Sequence, residues 1–350
     1  MSDPTPPNPT LPDAAPARTD AAAALSAAQR AHIFSSIQPV PGVAKPDPII
    51  VVDDITRTFG GLTAVAVDHL EIQRGAITGL IGPNGAGKTT FFNLITGFDR
   101  PDSGTCRLDG KPLGRMVPHQ VARHGMVRTF QLTKALSKLT VLDNVRLGAR
   151  HQLGEHFLAA LAPWTWRKQE AAITERANEM LVRFKLDAKA DDLAGSLSGG
   201  QRKLLEMARA LMTDPKIVML DEPMAGVNPA LTQSLLEHIK GIRDDGVSVV
   251  FVEHDMDVIR DISDWVVVMA QGQVIAETLP GRLSENDAVI DAYLGSHHDQ
   301  RLEFDEHGRP VGATAALAQE VESAIEADLA AGGDLSEAPD LPAPNPKGHQ

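Results

Sequence analysis

Gly82-Pro83-Asn84-Gly85-Ala86-Gly87-Lys88-Thr89 is the stretch that decides the fold: two glycines four residues apart, followed by Lys-Thr. The apolar run 76–81 before it reads as a short buried strand, and 89–96 after it reads as a helix, which is the setting this pattern requires. Glycines let the backbone curl so that successive N–H groups point inward, and the helix that follows offers its positive end to the same anion. Gly82, Pro83, Asn84, Gly85, Ala86, Gly87, Lys88, Thr89 and Thr90 therefore form a predicted phosphate cradle. Within it Lys88 reaches the β- and γ-phosphates, and the Thr89 hydroxyl is a ligand for Mg2+.

Composition narrows the class. The 350 residues are 43% hydrophobic, which is ordinary for a chain able to bury a real core. No run approaches the roughly 18 apolar residues that span a bilayer, and the first residues carry prolines and acids where a signal peptide would be basic and then apolar. The single cysteine, Cys106, excludes an intramolecular disulfide and fits a reducing compartment. The net charge is -13, and more than half of it lies in residues 301–350, where Glu303, Asp305, Glu306, Glu320, Glu322, Glu326, Asp328, Asp334, Glu337 and Asp340 face only Arg301, Arg309 and Lys347. That balance argues against nucleic acid as a partner.

Both ends read as accessory. Residues 1–47, rich in Pro and Ala, are expected to be a disordered leader with at most a short helix from Ala21 to about Ile37 capped by Asp20, its apolar stripe of Leu25, Ile33 and Ile37 being thin. Residues 298–350 are expected to be a mostly disordered acidic tail, with an isolated amphipathic helix through Leu317, Val321, Ile325 and Leu329. The folded unit is placed at about 48–297. In it, Ile49–Val52, Thr63–Ile72 and Thr105–Leu108 read as antiparallel, peripheral strands. From about 140 to 212 the pattern is helical, ending in Gln201–Met212. The uninterrupted apolar run Ile217–Leu220 then marks a buried parallel strand. Helix 230–242, strand 247–252, helix 256–262 and a closing hairpin through Trp265–Met269 and Val274–Ala276 complete the chain. Strands alternating with helices around a phosphate loop indicate an α/β, three-layer, mostly parallel core, with a peripheral antiparallel β subdomain and an inserted helical subdomain.

Two carboxylates, Asp221 and Glu222, close the Ile217–Leu220 run. Asp221 is read as holding Mg2+, and Glu222 as the general base beside the γ-phosphate. Leu197-Ser198-Gly199-Gly200-Gln201, taken alone, is a serine cap with a Gly-Gly turn. In order along the chain, the phosphate loop, Gln131 in Arg128-Thr129-Phe130-Gln131, the Ser198-Gly199-Gly200-Gln201 segment, Asp221-Glu222 and His254 in Val252-Glu253-His254-Asp255 resemble the motif set of the ATP-binding subunits of ABC transporters, over about residues 48–297.

The resemblance implies roles residue by residue. Phe59 stacks on adenine, in a place where many members of the family have Tyr. Gln131 approaches Mg2+ and the attacking water, and His254 contacts the γ-phosphate and Glu222. Ser198, Gly199, Gly200 and Gln201 face the γ-phosphate of ATP held by a second subunit, so this chain, with one loop and one such motif, is expected to dimerise. Phe59-Gly60-Gly61-Leu62-Thr63, Arg128-Thr129-Phe130-Gln131, Ala225-Gly226-Val227-Asn228-Pro229, Val252-Glu253-His254-Asp255-Met256 and the ending Val289–Gly295 look like the ATPases of branched-chain amino-acid importers. The stretch of about 148–168, with Trp164 and Trp166, resembles the extra segment of one of their two ATPase types. The implied assembly is a heterodimer with a sister ATPase on separate permease subunits at the cytoplasmic face of the membrane, fed by a substrate-binding protein. Similar ATPases serve urea or short-amide import and lipopolysaccharide export. The two cassettes or long coiled coil usual in soluble ABC ATPases are missing from this sequence.

Overall fold

The apolar run Ile77–Ile81 forms strand β3, every residue of which is buried. β3 lies inside a six-stranded sheet of order β10-β9-β3-β8-β7-β6, in a computed structural model that describes residues 24–129, 136–150 and 163–298. The neighbours are β8 (Ser248–Val252) and β9 (Trp265–Ala270), both parallel to β3. Beyond β8 lie β7 (Ile217–Asp221) and the three-residue β6 (Met126–Arg128), also parallel. β10 (Gln273–Thr278) closes the far edge as an antiparallel hairpin.

Alternation along these strands feeds two separate cores, which is why they read as continuous apolar runs. Val218, Leu220, Val249, Phe251, Val266 and Val268 join one cluster, while Ile217, Met219, Val250, Val252, Val267 and Met269 join the other. The first is covered by α7 (Pro229–Asp244), α8 (Met256–Ile262) and the inserted helices α4 (Val141–Arg146), α5 (Pro163–Arg183) and α6 (Gly199–Leu211). The second is covered by α2 (Lys88–Ile95), α3 (Pro118–His124) and a four-stranded antiparallel sheet of order β2-β1-β4-β5, where β1 is Pro48–Phe59, β2 Leu62–Gln73, β4 Ser103–Leu108 and β5 Lys111–Pro112. The three-layer α/β core, the antiparallel subdomain and the helical insert are thus all present.

With no alternation between a wet and a dry face, strand register has to be set elsewhere. It is set at the amino-terminal ends. Ile77 N–H donates to Asp264 Oδ2 at 2.8 Å, and Gly75 N–H donates to Ser248 Oγ at 2.9 Å.

The leader differs from its expectation. From residue 24 the chain is structured, and α1 (Ala27–Ser36) is capped by Ser26, not Asp20, in a reciprocal box with Gln29. The helix docks through Phe34, which stacks on Trp265 with ring centres 5.3 Å apart, and through buried Arg30, which pairs with Asp244 and Asp264 at 3.3 Å each. Further on, Lys45 is buried against Glu277 at 2.7 Å. Glu277 also accepts from Trp265 Nε1 at 2.9 Å and from Gly42 N–H at 2.8 Å. One aromatic and two paired cations tie residues 24–47 to the parallel sheet, so the folded unit begins well before residue 48. The Pro-rich residues 1–23 and the acidic tail with its expected helix lie outside the described residues, as do Gln131 and residues 151–162. The chain divides into a unit of residues 1–293 and a second of 294–350, with α9 (Asp287–His298) crossing the boundary.

Candidate active site

In parallel sheets, ligands bind beyond the carboxyl ends of the strands. Three adjacent strands deliver chemistry there: β3 runs into the phosphate loop, β7 ends in Asp221, and β8 leads into Glu253 and His254. Gly87 closes the loop at φ 94°, and a Cβ at this position would lie 2.4 Å from the Ala64 carbonyl oxygen, so no other residue fits without moving backbone. Gly87 also serves as the N-cap of α2 and supplies no side-chain cap. The first-turn N–H groups of that helix are thus left for an anion.

The Lys88 ammonium donates to the carbonyls of Gly82 at 2.5 Å and Pro83 at 3.0 Å. Burial pushes its pKa below the ordinary lysine value, and the carboxylates of Glu222 and Asp221 pull it back up, so both acids act on the loop's cation. Asn84, Gly85 and Thr89 are exposed, with Thr90 partly so.

Asp221 pairs with Arg128 at 2.6 Å, both groups being almost buried. Arg128 also donates to Asn93 Oδ1 of α2 at 2.6 Å and lies 5.6 Å from the ring centres of Phe92 and Phe98. Glu222 adopts φ 44°, the left-handed region that side-chain-bearing residues avoid. Its backbone is held on both sides: the N–H donates to Val252 O at 3.0 Å, and the carbonyl accepts from Lys203 Nζ at 2.9 Å and from Ala225 N–H at 3.1 Å. Glu253, 1% exposed, accepts from Met224 N–H at 2.9 Å, and burial raises its pKa.

His254 lies two residues beyond the end of β8. Its side chain is 73% exposed, with Nδ1 3.7 Å from Glu253 Oε2. Phe59 ends β1 half exposed, and the Arg57 guanidinium lies 4.6 Å from its ring centre.

Ser198 is the N-cap of α6, in a reciprocal box with Gln201. A Cβ at Gly200 would overlap the Leu231 side chain of α7, whereas one at Gly199 would meet open space. Ser198 and Gly199 are exposed at the start of the helix. Among the described residues, no hydrogen bond joins 198–201 to the chain's own loop at 82–90.

Sequence reasoning assigned no role to Lys203, Glu253 or Arg128. The signal for Lys203 was present: with Gly200, Leu204, Met207 and Leu211 it lies on the buried stripe of α6, where an unpaired cation is not tolerated.

Residues 66–225 match the family model described as ABC transporter. A probable branched-chain amino acid transport ATP-binding protein, LivG, of Archaeoglobus fulgidus is 41% identical over 252 residues, covering 72% of this chain and 97% of the relative. The high-affinity branched-chain amino acid transport ATP-binding protein BraF of Pseudomonas aeruginosa is also 41% identical, over 71% of this chain and 98% of its own length. Among solved structures, an ATP-binding cassette of an ABC transporter in its ADP conformation is 34% identical, with a TM-score of 0.61 over 71% of this chain and 99% of that one. Since the middle of this chain spans those relatives almost from end to end at 41% identity, it belongs to the ABC transporter family as an ATP-binding cassette.

Proposed function

We propose that this chain hydrolyses ATP to drive import of branched-chain or other hydrophobic amino acids through separate permease subunits. The observation that carries the ATPase half is the convergence of Lys88, Asp221 and Glu222 beyond the ends of β3 and β7, the two strands that flank β8, beside an uncapped helix N-terminus. The choice of substrate rests on relatives named for branched-chain amino acid transport.

The loop's N–H groups and Lys88 bind the phosphates, and the free face of Phe59 stacks on adenine. Thr89, Asp221 and Gln131 would hold Mg2+, which supplies charge neutralisation on the β- and γ-phosphates. The donor set fits: among the described residues no group of three His, Cys, Asp or Glu could hold a metal alone, and Mg2+ typically takes one or two protein oxygens plus phosphate. Arg128, 2.6 Å from Asp221, holds that carboxylate in place at the end of β7. Glu222 accepts the proton of the attacking water, and His254 turns inward from its exposed position to the γ-phosphate. Ser198, Gly199 and Gln201, which make no bond to this chain's loop, complete the site of a second ATP-binding subunit, a sister ATPase in our reading. Cleavage removes the phosphate that joins the two and lets them part.

Among the described residues no helix is long and apolar enough to cross a membrane; we read the chain as a peripheral subunit docked on permease subunits at the cytoplasmic face, as its relatives named for transport suggest. In the assembled complex, Glu222→Gln is expected to bind ATP with near wild-type affinity while turnover falls at least about 100-fold. A wild-type ATPase rate refutes the role of Glu222. Uptake of labelled leucine that is unchanged when the chain is deleted refutes the substrate class.

A further inference from the structure

We propose that Lys203 is a positioning residue for ATP hydrolysis, tying the orientation of the Glu222 peptide to the helix that begins with Ser198. This rests on the reading of Glu222 as the general base.

Lys203 is the third residue after Gly200 on α6 and nine-tenths buried, and its ammonium donates to the Glu222 carbonyl at 2.9 Å. A buried cation is costly unless the fold needs it. Burial depresses its pKa, while the carboxylates of Glu253, Glu206 and Glu222 oppose that shift, so it is held among acids. The carbonyl it grips belongs to the residue at φ 44°. That conformation is disfavoured for any non-glycine residue and persists only where the surroundings over-determine it.

The surroundings can be named. The β8 carbonyl of Val252 fixes the Glu222 N–H, and Glu253 fixes the Met224 N–H. Those two bonds come from the strand side and the Ala225 N–H meets the Glu222 carbonyl from the turn at 3.1 Å, whereas Lys203 comes from the helix whose first residues we read as facing a second subunit. When that helix is engaged, any shift along its axis reaches the Glu222 carbonyl through one buried side chain, and the Glu222 carboxylate turns with its own peptide. The predicted device is therefore a link: ATP bound between subunits sets the helix, and the helix sets the base. The Lys203 ammonium donates to a main-chain carbonyl and not to the phosphate loop, so its contribution is expected in kcat and not in ATP affinity.

The test is steady-state ATP hydrolysis by the full chain assembled with its membrane subunits, alongside binding of a fluorescent ATP analogue and thermal melts. Lys203→Met should lower kcat at least tenfold with nucleotide affinity changed less than threefold, and Lys203→Arg should restore most of the rate. Where the Met variant does not melt cooperatively, Lys203→Gln and Lys203→Arg carry the comparison. A rate ranking of Lys above Arg above Gln, at matched affinity, supports the link. Equal kcat across the variants overturns it, as does a loss confined to affinity or a loss that Arg does not rescue. Glu222→Gln run in parallel separates the failures. An active Glu222→Gln refutes the general-base reading, whereas an inactive one beside a wild-type-like Lys203→Met refutes the link alone.

Discussion

Replacing Lys45 with methionine isolates the attachment of the amino-terminal segment to the core. The Lys45 side chain is 1% exposed and that of Glu277 is 0% exposed, with Nζ 2.7 Å from Oε2. Removing one partner of a buried pair typically costs about 3–5 kcal/mol, because the other charge is stranded. Here Glu277 keeps two donors, Trp265 Nε1 at 2.9 Å and Gly42 N–H at 2.8 Å, and bonds to a carboxylate are worth roughly 1.5–3 kcal/mol each. The expected loss therefore lies at the lower end, about 3 kcal/mol. For a domain of this size it corresponds to a fall in Tm of roughly 6–12 °C. Urea or thermal unfolding of the wild type, Lys45→Met, Glu277→Gln and the double variant gives the coupling energy as a double-mutant cycle. Deletion of residues 1–47 should cost at least as much as Lys45→Met, since it also uncovers the face of Trp265 that stacks on Phe34. A loss below about 1 kcal/mol for Lys45→Met, or a truncated chain that melts with the wild type, refutes the claim that this segment is part of the fold.

Gly87→Ala combines a left-handed φ of 94° with a Cβ 2.4 Å from a backbone carbonyl, so it should cost roughly 2–4 kcal/mol and abolish ATP binding together; an intact Tm with lost binding would contradict the steric argument. Burial, reinforced by Asp53, pushes the Cys106 thiol up to about 12 from an ordinary 9.0. Its neutral form is therefore favoured in the folded state, and the stability it contributes is lost as pH rises from about 9 towards 12, at up to about 1.4 kcal/mol per pH unit. Cys106→Ala should lack that component of the pH dependence, and in the wild type a thiol reagent should react only on unfolding.

The nucleotide half of the site was legible because its signal is local. A loop, the strand before it and the helix after it are contiguous in sequence, and they fold as Ile77–Ile81 and Lys88–Ile95. Asp221 and Glu222 were legible for a related reason, since an apolar run that ends in two acids requires a cation nearby. A short amino-terminal helix was legible, but its docking was not, because its apolar face is thin: Phe34 is buried, Ile33 and Ile37 only partly so. What anchors it are Trp265, Asp244 and Asp264, more than 200 residues away. Strand β6 and helix α3 escaped because three and seven residues carry too few apolar repeats to register as a period. The exposed setting of His254 follows from the turn after β8, which no spacing encodes. Lys203 was overlooked because a lysine in a helix is ordinarily solvated. Only the burial of the whole stripe from Gly200 to Leu211 distinguishes it.

The fully buried strands at the centre of the sheet impose a division of labour between its two ends. A slip of one residue between β3 and β8 would cost little in apolar burial, because both faces are dry, yet it would carry the loop about 3.3 Å past its partners. The bonds from Ile77 to Asp264 and from Gly75 to Ser248 work like the fixed stop of a sliding rule. They sit one strand length from the phosphate loop and align it with Asp221 and Glu253 without touching either. Arg30 of the amino-terminal helix grips the same Asp264. The accuracy of the catalytic edge is thus set at the opposite margin of the sheet, by groups that never meet a nucleotide.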